Sequence, residues 1–166
     1  MNLWAKIKQM DFFKLLQFLG LLCQKPLLII PIWKATKQTL QLSQQLYGKS
    51  HNGNGKANAF RHAYWNFSIC KRTLKFTKNP HKSSIWTQKV VEYYEKVTKN
   101  ADLDREMDLH NNTFGRNHFL THFDENQAKT IVFFQNSAEN AQKVTKVEEI
   151  KEIRNHLVYI AQLHLL

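Results

Sequence analysis

The chain has 166 residues, 43% hydrophobic and 12% aromatic, which excludes disorder and provides for one domain with a substantial core. Five Gly and three Pro are too few for a turn-rich β architecture. The net charge is +11, with 17 Lys/Arg against 3 Asp/Glu in residues 1–100 and 7 against 10 in residues 101–166, so the basic part either calls for an anionic partner or is a solvated lysine-rich surface.

From the N-terminus, apolar spacing predicts a helix over about 3–24, ended by Pro26. The apolar runs Leu15–Gln24 and Pro26–Trp33 are split by Lys25, and neither reaches the ~20 residues of a membrane span. Asp11 and Lys14 interrupt the start and no small-residue cleavage site follows, so neither a signal peptide nor a transmembrane span is expected, and the place is cytoplasmic or peripheral at the inner membrane. Lys6, Lys8, Lys14 and Lys25 accompany Trp4, Phe12, Phe13 and Phe18. That is the make-up of an interfacial helix, or of an apolar helix docked on the core.

A second helix is expected from Pro31 to about Tyr47, and the Asn-Gly-Asn-Gly segment within 48–56 is a loop. A third spans about 57–76 and is closed by Asn79-Pro80. Ser84 is the expected N-cap of a fourth, reaching about Lys99. A fifth runs from about Ala101 to Thr113 and stops at Gly115. Residues 117–144 are less regular. Thr130–Phe134 is β-branched and aromatic, but a lone strand has no partner, so helix is expected. Thr145 and Glu148 form a capping box for a last helix to about Leu163. The fold class is therefore all-α: a single domain, 1–166, built as a bundle of six to seven helices. Residues 1–33 are its apolar and basic N-terminal part, and 45–118 bear the motifs. Cys23 and Cys70 are expected as reduced, packed thiols.

Two segments mix polar and bulky apolar residues: Ala57–Asn66 and Met107–Arg116. On a helical wheel, Phe60, Ala63, Phe67, Cys70 and Leu74 form one stripe of the third helix, while Asn58, His62, Trp65, Asn66 and Ile69 form the opposite one with Arg61 at its edge. In the fifth helix, Leu103, Met107, His110 and Phe114 share a stripe, and Asp104, Asp108, Asn111 and Asn112 share the other. Asp108, Asn111 and Asn112 offer oxygens at i, i+3 and i+4, a spacing that holds a hard cation or fixes a histidine tautomer, or that faces solvent. His118 and His122 are spaced i, i+4 with Asp124 nearby, but lack the metalloprotease glutamate. No Walker loop, dinucleotide fingerprint, nucleophile elbow or zinc-finger spacing is present.

The segments Ala59-Phe60-Arg61-His62-Ala63-Tyr64-Trp65-Asn66 and Met107-Asp108-Leu109-His110-Asn111-Asn112-Thr113-Phe114-Gly115-Arg116 resemble the signature of a Bacteroidetes-type bacterial family with no assigned function. Related domains sit at the ends of secreted toxin-like chains, and the likeness covers about residues 45–118. The middle motif of that family carries His-Glu. Here Tyr94 stands in place of the His, and Glu95 keeps the acid. The resemblance implies a site of Arg61, His62, Trp65, Asn66, Glu95, Asp108, His110, Asn111, Asn112 and Arg116. A looser similarity joins the chain to helical lipid-phosphatase toxins.

The resulting expectation is a small helical hydrolase of a phosphate- or phospholipid-type substrate near a membrane. His62, Asp108, His110 and Glu95 are its candidate catalytic residues. Arg61, Trp65, Asn66, Asn111, Asn112 and Arg116 are its candidate substrate contacts. Asp108, Glu95 and Asn112 are candidate ligands of a divalent cation. The alternative is a non-enzymatic basic module that binds nucleic acid or anionic lipid, in which the polar cluster is structural.

Overall fold

The computed structural model describes residues 12–98 and 101–160. The expected first turns with Trp4, Lys6 and Lys8, the ends at Lys99 and Leu163, and the reading of Asp11 all lie outside them. Seven α-helices make up the described chain: α1 (Phe12–Cys23), α2 (Ile29–Tyr47), α3 (Lys56–Thr77), α4 (Pro80–Val97), α5 (Asp102–Thr121), α6 (Gln127–Glu139) and α7 (Val147–Glu152). Two short strands, β1 (Gln142–Lys143) and β2 (Val158–Tyr159), pair in parallel. The all-α bundle expected from the sequence is thus the fold.

Helix α3 lies at the centre, packed on α2, α4, α5 and α6. Its predicted core stripe is buried: Phe60, Ala63, Phe67 and Cys70 join Phe119 of α5, Phe134 of α6 and Leu157, with Leu74 packed against them. Phe67 meets Phe119 and Phe134 edge-on at 5.9 and 5.7 Å, the arrangement favoured by the ring quadrupoles. Cys70 is buried and free, and burial pushes its thiol up to about 12. Cys23 is free but exposed, so only one of the two thiols is packed.

Several boundaries differ from expectation, each for a local reason. Helix α2 starts at Ile29, two residues before Pro31, because proline fits the first turn of a helix, where its missing N–H is no loss. Helix α3 ends with Lys78 in the left-handed conformation. Asn79 then caps α4, its side chain accepting from the Lys82 amide at 2.9 Å, with Pro80 at the first helical position. Ser84 is a buried interior residue of α4, not its cap. Thr130–Phe134 is helical, as expected, within α6.

Helix α5 does not stop at Gly115; it continues to Thr121. A Cβ on Gly115 would lie 2.0 Å from the Ala63 carbonyl oxygen and 2.8 Å from its carbon. The glycine is there so that α3 and α5 can touch backbone to backbone, not to end a helix. The expected long last helix is also corrected. Only Val147–Glu152 is helical, and the chain then turns extended so that Val158–Tyr159 runs beside Gln142–Lys143. The expected capping box is not formed: the N-cap is Lys146, without a side-chain cap bond, and it is Glu149, not Glu148, whose carboxylate accepts the Thr145 amide at 2.8 Å.

The N-terminal helix is divided. Phe18, Leu21 and Leu22 of α1 pack against Leu28, Trp86 and Val90, whereas Phe12, Phe13, Leu16 and Leu19 are exposed. Among the described residues no single helix is long and apolar enough to cross a membrane; α1 and the following helical segment reach the composition only together, across a bend of 97°.

Candidate functional site

Because Gly115 lets α3 and α5 approach so closely, their polar stripes meet, and α4 closes the third side. His62 stands in the middle. Its Nε2 lies 2.9 Å from the Arg61 guanidinium and 3.3 Å from Asp108 Oδ1. Its Nδ1 lies 3.2 Å from Asn112 Oδ1 and 3.6 Å from Glu95 Oε1. Relative exposure is 4% for His62, 4% for Asp108 and 1% for Glu95.

The hydrogen-bond network fixes the imidazole's roles. The Asn112 amide nitrogen donates to Glu95 at 3.4 Å and its oxygen accepts from Asn66 at 2.6 Å, so that oxygen faces donors only. Nδ1 of His62 therefore carries the proton and donates to Asn112, and Nε2 accepts from Arg61. In that tautomer the basic lone pair points to the side of Arg61 and Asp108. Asn66 extends the chain: its amide nitrogen also donates to the His62 carbonyl at 3.1 Å, and its oxygen accepts from Arg116 at 3.0 Å. Arg116 donates onward to Thr113 at 2.8 Å.

Counting formal charges, Arg61 and Arg116 balance Glu95 and Asp108 when His62 is neutral. Burial pulls the Arg61 guanidinium below its usual range, while Asp108, Tyr94 and Glu95 hold it up. Burial is also the leading cause for Arg116, lowered in the same sense. Tyr94, the residue at the departing position of the middle motif, sits against this centre. Burial and then the Glu95 charge push its phenol up, so it remains protonated at neutral pH. Trp65 walls the same side, 5.7 Å from Tyr94 ring to ring and edge-on to His62 at 6.3 Å, with its indole N–H on Thr36 Oγ1 at 2.9 Å.

The structure thus brings together Arg61, His62, Trp65, Asn66, Glu95, Asp108, Asn112 and Arg116. It does not bring in two of the expected residues. His110 is turned to the C-terminal segment, with Nε2 on the His156 carbonyl at 2.9 Å. Asn111 is fully buried but acts as a strand neighbour: it donates to the Val158 carbonyl and accepts the Val158 amide, both at 2.9 Å. The wheel puts His110 on the stripe of Leu103, Met107 and Phe114, and only the family resemblance brings it into the site. The wheel misplaces Asn111, because a stripe about a hundred degrees wide cannot tell the two sides of its own edge apart. Two supports went unread in the sequence: Thr36, and the His51 carbonyl that accepts from Arg61 at 2.7 Å. Neither gives a sequence signal, since one contact uses backbone and the other crosses 29 residues.

His62, Glu95 and Asp108 each offer one ligand atom, all within 4.8 Å of one another, a group that could hold a metal ion. One imidazole with two carboxylates suits a borderline or hard divalent cation. The Arg61 guanidinium at 2.9 Å from Nε2 opposes it, since a cation there would face a fixed positive charge. The oxygen of Asn112, expected as a ligand, is already accepting two N–H groups. His118 and His122 do not converge on a metal either. Their rings stack at 4.4 Å, and His118 stacks on Phe133 at 3.8 Å with Nε2 toward Glu125.

No curated protein and no solved structure matches this chain. Residues 19–142, which span α2 to α6 and every residue of the polar centre, match a family described as a domain of unknown function. The chain belongs to that family, DUF6973.

Proposed function

We propose that the chain hydrolyses a phosphate-bearing substrate at the polar centre, with His62 as the acid–base group. The observation that carries this is the imidazole held between two carboxylates, with its accepting nitrogen on the side of a guanidinium. Arg61 is a planar donor that pairs with phosphate oxygens through two N–H groups. When it turns from Nε2 to the substrate, the lone pair it leaves is the base. Water then attacks phosphorus, its proton passes to Nε2, and the bond to the leaving oxygen breaks. The leaving oxygen takes back the proton from the imidazolium. Asp108 and Glu95 stabilise that imidazolium from its two sides, as the buried carboxylate of a hydrolase triad does. Arg61 and Trp65 are partly exposed, so substrate would have to reach the buried His62 from their side, as Arg61 turns away. Were a divalent cation held by His62, Glu95 and Asp108 once Arg61 has left, it would take the Nε2 lone pair and would activate the water in place of the imidazole base.

The test is phosphate or alcohol release from a panel of phosphomonoesters and phosphodiesters, with chelator and with added Mg²⁺, Mn²⁺ or Zn²⁺. Turnover by the wild type that falls with Arg61→Gln supports the reading. Absence of turnover on every ester under every metal condition sinks it. A second reading, a purely structural polar cluster in a binding module, is favoured by one feature: Asn66 and Asn112 are completely buried and fully hydrogen-bonded between helices.

A further inference from the structure

Helix α3 carries different chemistry on the side turned away from His62. Between α2, α3 and the turn joining α5 to α6 lies a groove of about 410 Å³. Its cations are Lys34 of α2 and Lys71, Arg72 and Lys75 of α3, and its one carboxylate is Glu125. Two of the cations are fixed. Lys71 Nζ donates to the backbone carbonyls of Phe123 and Glu125, the latter at 2.9 Å, and Arg72 donates to Gln38 at 2.5 Å. The single carboxylate offsets one of the four charges, and its Oε2 is turned to His118 at 3.3 Å and Thr130 at 3.0 Å, not to a lysine. Among the described residues no salt bridge joins any of the four cations to an acid. A concave site with this excess of one sign concentrates anions.

The rim is apolar on one side, and the aromatic Phe76, 52% exposed, also lines the groove. Ile30, 62% exposed, lines the groove, and Leu27 and Trp33, three residues either way along the chain, are exposed too. Lys37 Nζ lies 5.5 Å from the Trp33 ring, so a cation accompanies the apolar strip. A free phosphate has no use for that strip, and a nucleic acid, which could stack on Phe76 or Trp33, leaves the aliphatic Leu27 and Ile30 without a partner. A phospholipid uses both parts, its headgroup on the lysines and its acyl region on the strip.

We propose that this groove holds the phosphate headgroup of an anionic phospholipid, with Leu27, Ile30 and Trp33 laid against the acyl region. The site is separate from the polar centre and stands whatever chemistry His62 performs. The full chain is sedimented with phosphatidylglycerol–phosphatidylcholine vesicles and with pure phosphatidylcholine vesicles, at low and high salt. Expected is salt-sensitive retention on the anionic vesicles alone. Lys34→Glu with Lys75→Glu changes two exposed side chains that hold no helices together, and lowers retention by about tenfold or more. Lys143→Glu with Lys151→Glu, equally exposed but at the β1 and α7 end, leaves it within about twofold. Ile30→Ser with Trp33→Ser weakens retention even at low salt. Circular dichroism confirms that each variant folds. Equal retention on both vesicle types, or no loss with the Lys34 and Lys75 pair, overturns the proposal. So does stabilisation by inorganic phosphate without vesicle binding, or preference for duplex DNA over vesicles.

Discussion

Asp108 shows why single positions in this centre matter. Its carboxylate faces His62 Nε2 at 3.3 Å and supports the Arg61 charge in a buried setting. Asp108→Ala removes the acid and keeps the cation, so it should cost about 3–5 kcal/mol, the penalty for breaking a buried ion pair. Urea denaturation is the measurement, and a loss under about 1 kcal/mol, the level of a surface pair, would show that the buried carboxylate does not hold the Arg61 charge. The histidines outside the centre give a pH signature. Burial lowers His51, with Arg61 adding to the effect, and burial lowers His118, with Glu125 partly offsetting it. A lowered folded value means the unfolded chain takes up protons first. Stability is then complete above the ordinary histidine value of about 6.5 and is lost as pH falls through it. The melting temperature should drop between about pH 7.5 and about pH 5. In His118→Phe, which keeps a ring against Phe133, that drop should shrink. An unchanged drop would assign it to other groups.

Gly115 and Asn111 set the limits of what patterns in the chain can tell. Gly115 reads as a stop signal because glycine after an apolar run often ends a helix. Its actual role is defined by Ala63, 52 positions earlier. Gly115→Ala should destabilise by about 3 kcal/mol, since the clash is with backbone that cannot rotate away. A melting temperature within about 2 °C of wild type would show that α3 and α5 can separate cheaply. Asn111 reads as part of the acidic and amide face, yet it ties β2 to α5 through two backbone bonds. Asn111→Ala leaves a buried N–H and C=O without partners, about 1–3 kcal/mol each. Hydrogen exchange should speed at Val158 and at the amides of Gln142 and Val144 that bond across to Leu157 and Tyr159. Slow exchange there in the variant would mean that β2 is held by other contacts. What was legible was periodic: the core stripe of α3, the polar stripe facing it, and the helical state of Thr130–Phe134. What was not legible depended on partners far along the chain, such as the parallel pairing that turned the expected last helix into Val158–Tyr159.

The molecule as a whole places two charged regions on opposite sides of one helix. Toward α4 and α5, α3 presents the balanced, buried centre around His62. Toward α2 and the α5–α6 turn, it presents uncompensated lysines beside exposed apolar residues. The N-terminal part of the chain supplies both the exposed strip and the packing of α1 on α4, so the uneven charge along the sequence becomes an uneven charge in space. A bundle that needed His62, Asp108 and Glu95 only to hold α3, α4 and α5 together would lose stability with them and nothing more. Phosphoester turnover by wild type and by His62→Asn, compared at equal circular dichroism and melting temperature, separates the two roles. Expected is a fall of about a hundredfold or more in kcat for His62→Asn, the usual contribution of a general acid–base group. Equal turnover in the two folded proteins, or none in either, would contradict catalysis at His62.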